Sequence, residues 1–309
     1  MSRLSDLRSL IGDPRQLASV RRVEYLDGPE RGLEALDLRA GPLAMTLLAG
    51  RALEIGQVHW RGMPLGWISP AVHTHPAHLD VEGDEGTGFE RGFSGFMNTG
   101  GLRHIGQPHG GHPLHGTLAY QPARILTARE DASTGALLVE AEMHQFHLNR
   151  ENLHLLRRIE VAFDGSEIKL TDVVTNQGTA PIAPKLLYHV NFGYPAVTDR
   201  SRLLLNGEVL VDRPAMPDFG PPASSYRFDA GPGPVATARL ETGAFAAEID
   251  FATDTLPVLQ IWRQFAPRYG VFSVEPITGA SLDPHPELQP MESRSYHLAW
   301  RFSGDLTIG

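Results

Sequence analysis

The apolar residues of this chain recur with a period of two through most of their runs and with a helical period almost nowhere, which constrains the fold more than any other feature. In EIKLTDVVTNQG (167–178), Ile168, Leu170 and then Val173 alternate with polar residues before a turn, and ALLVEAEMHQFHL (136–148) and LHLLRRIEVAF (153–163) have the same short reach. Such alternation puts successive side chains on opposite faces of a strand. The sequences DASTG (131–135) and DGS (164–166) supply hairpin turns between these runs. Further strands are expected at 43–49, 57–60, 236–241, 245–251, 257–265, 270–275 and 295–302. Many short strands with close turns predict antiparallel sheets packed as a sandwich or barrel. A single domain over 1–309 is expected. Leu4, Leu7, Leu10 and Ile11 recur at helical spacing until Gly12-Asp13-Pro14, so a short N-terminal helix is predicted within an extension over 1–20. The Pro- and Gly-rich stretch 211–235 reads as a long surface loop.

Composition removes several kinds of chemistry. The formal net charge is -9 and no cationic run occurs, so no nucleic-acid partner is expected. The absence of cysteine excludes disulfides, thiolate nucleophiles and cysteine-ligated zinc. The N-terminus lacks the apolar core of a signal peptide and no segment reaches the length of a membrane span, so a cytoplasmic protein with no membrane partner is expected.

Three stretches carry candidate chemistry. Four histidines, His104, His109, His112 and His115, fall within twelve residues of a glycine-rich loop that Pro108 and Pro113 keep from being helical. Their spacing matches no helix-borne metal motif, and HTHPAH (73–78) likewise reads as a polar loop, so no metal is expected. KLLYHVNFGYP (185–195) sets His189 and Asn191 near the end of an apolar strand, where the histidine is either a hydrogen-bonded core residue or a functional one. In YGVFSVEPITG (269–279), Glu275 ends an apolar strand just before Pro276, a position for a structurally paired carboxylate or for one held ready for proton transfer.

Taken in order, Leu114-His115-Gly116, His189 in its strand and Glu275 before Pro276 resemble the aldose 1-epimerase (galactose mutarotase-like) superfamily. The segments GRALEIGQVHWRGMPLGWISP (50–70), RGFSGFMNTGGLRHIG (91–106) and LHGTLAYQPA (114–123) resemble a bacterial branch of it, and the likeness spans about 40–302. The resemblance implies a large antiparallel β-sandwich that binds a small-molecule sugar and needs no cofactor. It implies that His115 binds the ligand and positions its ring, that His189 is the acid at the ring oxygen, and that Glu275 is the base at the anomeric hydroxyl. It further implies a substrate-binding Arg91, with Asn191 beside the sugar, and a sugar-binding aspartate among Asp212, Asp218 and Asp229. Thr117 stands where the family usually has a second glycine. Opening a cyclic hemiacetal requires only such an acid and base on opposite sides of the ring. A non-catalytic sugar-binding sandwich would instead rest on Trp60, Trp67 and Trp262. A glycoside hydrolase would need a second carboxylate, and a metal-dependent isomerase would use the histidine loop.

Overall fold

A computed structural model describes residues 10–131, 133–218 and 224–307. Its strands in chain order are β1 (Ala18–Glu24), β2 (Glu34–Ala40), β3 (Leu43–Leu48), β4 (Glu54–Trp60), β5 (Met63–Pro64), β6 (Met97–Leu102), β7 (Arg124–Asp131), β8 (Ala136–Phe146) and β9 (Asn152–Ala162). They continue with β10 (Ile168–Asn176), β11 (Lys185–Phe192), β12 (Ser201–Leu205), β13 (Glu208–Asp212), β14 (Ser224–Asp229), β15 (Val235–Thr242), β16 (Phe245–Ala252), β17 (Val258–Gln264), β18 (Val271–Ile277) and β19 (Ser293–Ser303). The first sheet runs β1-β2-β3-β4-β6-β11-β18-β17-β14, with β5 paired to β4, and the second runs β13-β12-β15-β16-β19-β10-β9-β8-β7. Their inner faces meet in one apolar core, giving the expected antiparallel sandwich.

Alternation decides which side chains enter that core. In β9, Leu153, Leu155, Ile159 and Val161 are buried while His154, Arg158 and Glu160 face outward. In β19, Tyr296, Leu298, Trp300 and Phe302 point inward. Arg157 is the polar exception on the inner face of β9. It donates to Asp172 at 2.8 and 2.7 Å and to Ala52 O at 3.0 Å, and Asp172 also accepts from the Tyr188 hydroxyl at 2.8 Å. Every charge in this buried group is matched, which is the condition for holding ions in a core. Because Tyr188 belongs to β11, the group ties the second sheet to the strand that carries His189.

Strands β11 and β18 are buried on both faces. Leu186, Tyr188, Val190 and Phe192 enter the core, while Leu187, His189 and Asn191 lie on the opposite face beneath covering loops. Full burial explains why β18 carries apolar residues on both faces, Phe272 and Val274 toward the core and Val271 and Ile277 on the other.

Two local expectations meet a different outcome. The stretch 211–235 contains β14, whose six residues pair with β17 at a sheet edge. An edge position tolerates the prolines around it, and those prolines hide the strand in the sequence. Of the expected N-terminal helix, residues 1–9 lie outside the described residues. Leu10 and Ile11 lead without helix into a 3-10 turn at Pro14–Gln16, and the chain is already strand from Ala18. Among the described residues, no helix is long and apolar enough to cross a membrane.

Candidate active site

Strand register assembles the site. Arg227 of β14 lies opposite Gln260 of β17, and Gln260 lies opposite Glu275 of β18. The pairs Leu187 with Ile277 and Val190 with Val274 set Glu275 against His189 of β11, which in turn pairs with Asn98 of β6. Glu54 of β4 accepts from Asn98 Nδ2 at 2.9 Å and completes the line. One polar row thus crosses six neighbouring strands on the face turned away from the core.

Hydrogen bonds lock this row in one orientation. Arg227 Nε donates to Gln260 Oε1 at 2.8 Å, so the Gln260 amide nitrogen faces Glu275 and donates to Oε2 at 2.6 Å. At the other end, Asn98 Nδ2 donates to Glu54 and to Ser94 O, leaving its Oδ1 to accept from Asn191 Nδ2 at 3.1 Å. Asn191 Nδ2 also donates to Gly95 O, so Asn191 Oδ1 is purely an acceptor. It takes the Ser273 hydroxyl at 2.7 Å and His189 Nδ1–H at 2.6 Å. Neutral His189 therefore carries its proton on Nδ1 and turns the Nε2 lone pair toward Glu275 Oε1, 3.4 Å away.

This pair is dry. The His189 side chain is 6% exposed and that of Glu275 0%, and Glu275 Oε1 has no hydrogen-bond partner. Burial pushes Glu275 up to about 8, against smaller downward effects of Gln260 and Arg227. Burial also takes His189 down to about 4, partly offset by its bond to Asn191. Between those values the two groups share one proton, which at rest sits on the carboxyl. Glu54 is raised by burial too, but Arg51 Nε at 3.0 Å, Asn98 and the Thr99 amide oppose that shift.

His115 reaches the site from a loop stitched to the end of β6. Its carbonyl accepts from Gly101 N at 2.9 Å, and its Nδ1 accepts from Gly106 N at 3.2 Å, which places the ring proton on Nε2. The turn requires Gly116 at φ +75°, where a Cβ would stand 2.6 Å from the carbonyl oxygens of Gly101 and His104. The His115 ring meets His189 at 5.5 Å between centroids and Phe89 at 5.1 Å. Burial, reinforced by His189 and His104, holds it well below the usual imidazole range. Phe93 stands edge-on to His189 at 5.0 Å and contacts Trp67 and Trp262, so an aromatic wall closes the pair from solvent. A cavity of about 760 Å³ lies elsewhere, lined by Thr198, Arg200, Phe265 and Arg268 among others, and contains none of the row.

The structure therefore brings His115, His189 and Glu275 together. Asn191, expected beside the sugar, is adjacent and fully buried, its Oδ1 accepting from His189 while its Nδ2 donates to Gly95 O and Asn98 Oδ1. Arg91 is not gathered with them. Its exposed guanidinium pairs with Asp84, while Phe89 and Phe93 on either side of it turn toward the histidines. Among the candidate aspartates, Asp212 pairs with Arg202 and Asp229 caps the turn at Gly231. Trp60 belongs to the core, where its Nε1 donates to Gly304 O. His104 is held between Gln107 O and the Ser281 hydroxyl and stacks on His112. Sequence reasoning missed Glu54, Asn98, Arg227, Gln260 and Ser273. The signal for Gln260 is a lone amide inside the apolar run VLQIW, and for Glu54 a carboxylate opening an apolar strand.

The two-sheet sandwich has a galactose mutarotase-like fold. A provisionally named aldose 1-epimerase of Klebsiella pneumoniae subsp. pneumoniae MGH 78578 superposes with a TM-score of 0.83 at 21% identity, covering 93% of this chain and 84% of its own. A galactose mutarotase-like protein of Clostridium acetobutylicum gives 0.67 at 12% identity over 94% of this chain and 100% of its own. The galactose 1-epimerase of Lactobacillus acidophilus NCFM gives 0.58 at 14% identity over 93% and 99%. The chain belongs to the family described as Domain of unknown function (DUF4432), whose model matches residues 30–221. No curated protein sequence matches it.

Proposed function

We propose that this protein is a sugar isomerase of the aldose 1-epimerase type, interconverting the anomers of a small-molecule sugar by acid–base ring opening. The observation that carries the reading is the dry His189–Glu275 pair, which shares one proton and is fixed at both ends of a hydrogen-bonded row. The named activity of the Lactobacillus acidophilus relative, on the same fold, supports it.

In this reading an entering sugar displaces the Phe93 wall, and its hydroxyls solvate the pair so that the proton moves from Glu275 to His189 Nε2. Ionised Glu275 then takes the proton of the anomeric hydroxyl while His189 gives its proton to the ring oxygen. The bond from the anomeric carbon to the ring oxygen breaks and a carbonyl forms. Rotation about the adjacent carbon–carbon bond and closure from the other face return both protons. The pair ends as it began, so no cofactor is consumed. His115, with Nε2–H as its free donor, holds the substrate oxygen that faces it. Each proton-transfer group contributes roughly 10²- to 10⁴-fold.

NMR exchange spectroscopy on a panel of free sugars at anomeric equilibrium tests this. Faster exchange of one sugar, above the buffer rate, is the expected result. Protein that binds a sugar with no excess exchange of any sugar in the panel would refute catalysis and leave a sugar-binding sandwich walled by Trp67, Phe93 and Trp262.

A further inference from the structure

On the outward face of the second sheet, far from the polar row, β8 and β9 bring three ligating side chains together. Register sets His144 of β8 directly opposite His154 of β9, with ring centroids 4.7 Å apart. Glu142, two residues along β8, lies on the same face and reaches His154 Nε2 with Oε2 at 3.2 Å. One ligand atom from each residue lies within 4.8 Å of the other two. His144 is exposed and the other two are half-buried, so the cluster is open to solvent.

We propose that Glu142, His144 and His154 form a binding site for a divalent transition ion, zinc foremost, with one coordination position left to water. This departs from the sequence reading, which expected no metal and weighed only the loop histidines. Two imidazoles and a carboxylate are a donor set suited to zinc, and three protein ligands with one open position are a common zinc arrangement. The scaffold is rigid, because opposed residues of an antiparallel ladder hold their Cβ atoms about 4.5–5.5 Å apart. An ion between Glu142 Oε2 and His154 Nε2 replaces the hydrogen bond they now share. Arg124 of β7 donates to the other oxygen, Oε1, at 3.0 Å and so aims Oε2 at the histidines.

The site joins the ends of β8 and β9 beside the 147–151 turn. Across the strand from His144, Gln145 accepts from the Leu102 amide of β6, so this corner already touches the first sheet. The ion thus clamps β8 to β9 within the second sheet and takes no part in the proton transfers proposed above.

Isothermal titration of tag-free protein with zinc chloride, and with cobalt(II) followed by visible absorption, tests the assignment. One equivalent at micromolar affinity with a tetrahedral cobalt spectrum is expected. His144→Asn, His154→Asn and Glu142→Gln each weaken binding at least about tenfold, and His112→Asn in the loop leaves it unchanged. These three positions face outward, and far-UV circular dichroism verifies that the variants fold. No saturable binding at millimolar zinc, or binding that survives in the His144→Asn/His154→Asn double variant, overturns the proposal.

Discussion

Replacing Glu275 with glutamine should stabilise the protein while abolishing its activity, and the size of the gain follows from burial. The unfolded chain ionises Glu275 at its ordinary 4.5, whereas the folded chain keeps the proton up to about 8. Between these values the folded state binds one proton more than the unfolded state. Unfolding free energy therefore falls by about 1.4 kcal/mol per pH unit as pH rises. The contribution of this carboxyl is fully present below 4.5 and is lost as pH rises through 8. At pH 7 the loss amounts to about 3 kcal/mol. Glutamine cannot ionise. Its oxygen still accepts from Gln260, and its amide N–H faces the His189 lone pair where the carboxyl proton now sits. Glu275→Gln should thus match the wild type near pH 4.5 and exceed it by about 3 kcal/mol at pH 7. The depression of His189 to about 4 gives stability an opposite slope below the ordinary 6.5, but both proteins share it. Urea unfolding at several pH values between 5 and 8, followed by tryptophan fluorescence, measures the difference, and anomer exchange measures the activity. A stability difference that stays flat with pH, or a variant less stable at pH 7, would show that Glu275 is not a buried protonated acid. Wild-type exchange in a folded variant would remove it from catalysis.

Turnover should require one proton on the His189–Glu275 pair, so kcat/KM should fall below about 4 and above about 8; an activity that keeps rising through pH 9 contradicts this. Asn191→Leu removes the acceptor of His189 Nδ1–H and should lower kcat by about 10²-fold with KM little changed, and a fall confined to KM would make Asn191 a sugar ligand after all. Arg91→Ala should leave both parameters within about twofold, since its partner Asp84 is also at the surface; a loss confined to KM would place the guanidinium on the substrate. Gly116→Ala forces a Cβ against two carbonyl oxygens and should displace His115, cutting turnover and lowering the melting temperature together; an unaffected variant would mean that the loop is not what positions the ring.

Much of this was legible in the sequence because alternation is a local signal. In β10 the alternation of Ile168 and Leu170 and the turn at 164–166 declare themselves within a few residues, but the expected inward Val173 faces outward, because Asp172 takes the next inner position for its bond to Arg157 and Val174 follows it inward. His115, His189 and Glu275, which the structure brings together, each sit in a distinctive short stretch. Glu54, Asn98 and Gln260 could not be found that way. Their meaning lies in pairing between strands distant along the chain, and nothing near Gln260 says that it will face Glu275. Arg91 stands apart from the three for the complementary reason. Spacing from His115 fixes its place in the chain, but the 3-10 segment Gly88–Gly92 decides which neighbours turn inward, and those are the phenylalanines. The cross-strand partnership of His144 and His154 was hidden in the same way, by the register of a hairpin.

The row from Glu54 to Arg227 makes activity a proofreader of sheet assembly. Each of its six strands contributes one residue, and a slip of one position in any strand sends that residue to the opposite face. The row draws on positions from 54 to 275, so isolated hairpins and shorter segments of the chain should be inert however well they fold. Evolution meets the same gate. Turns between strands are free to lengthen, whereas a single inserted residue within β6, β11, β17 or β18 would break the row even when the sandwich still forms.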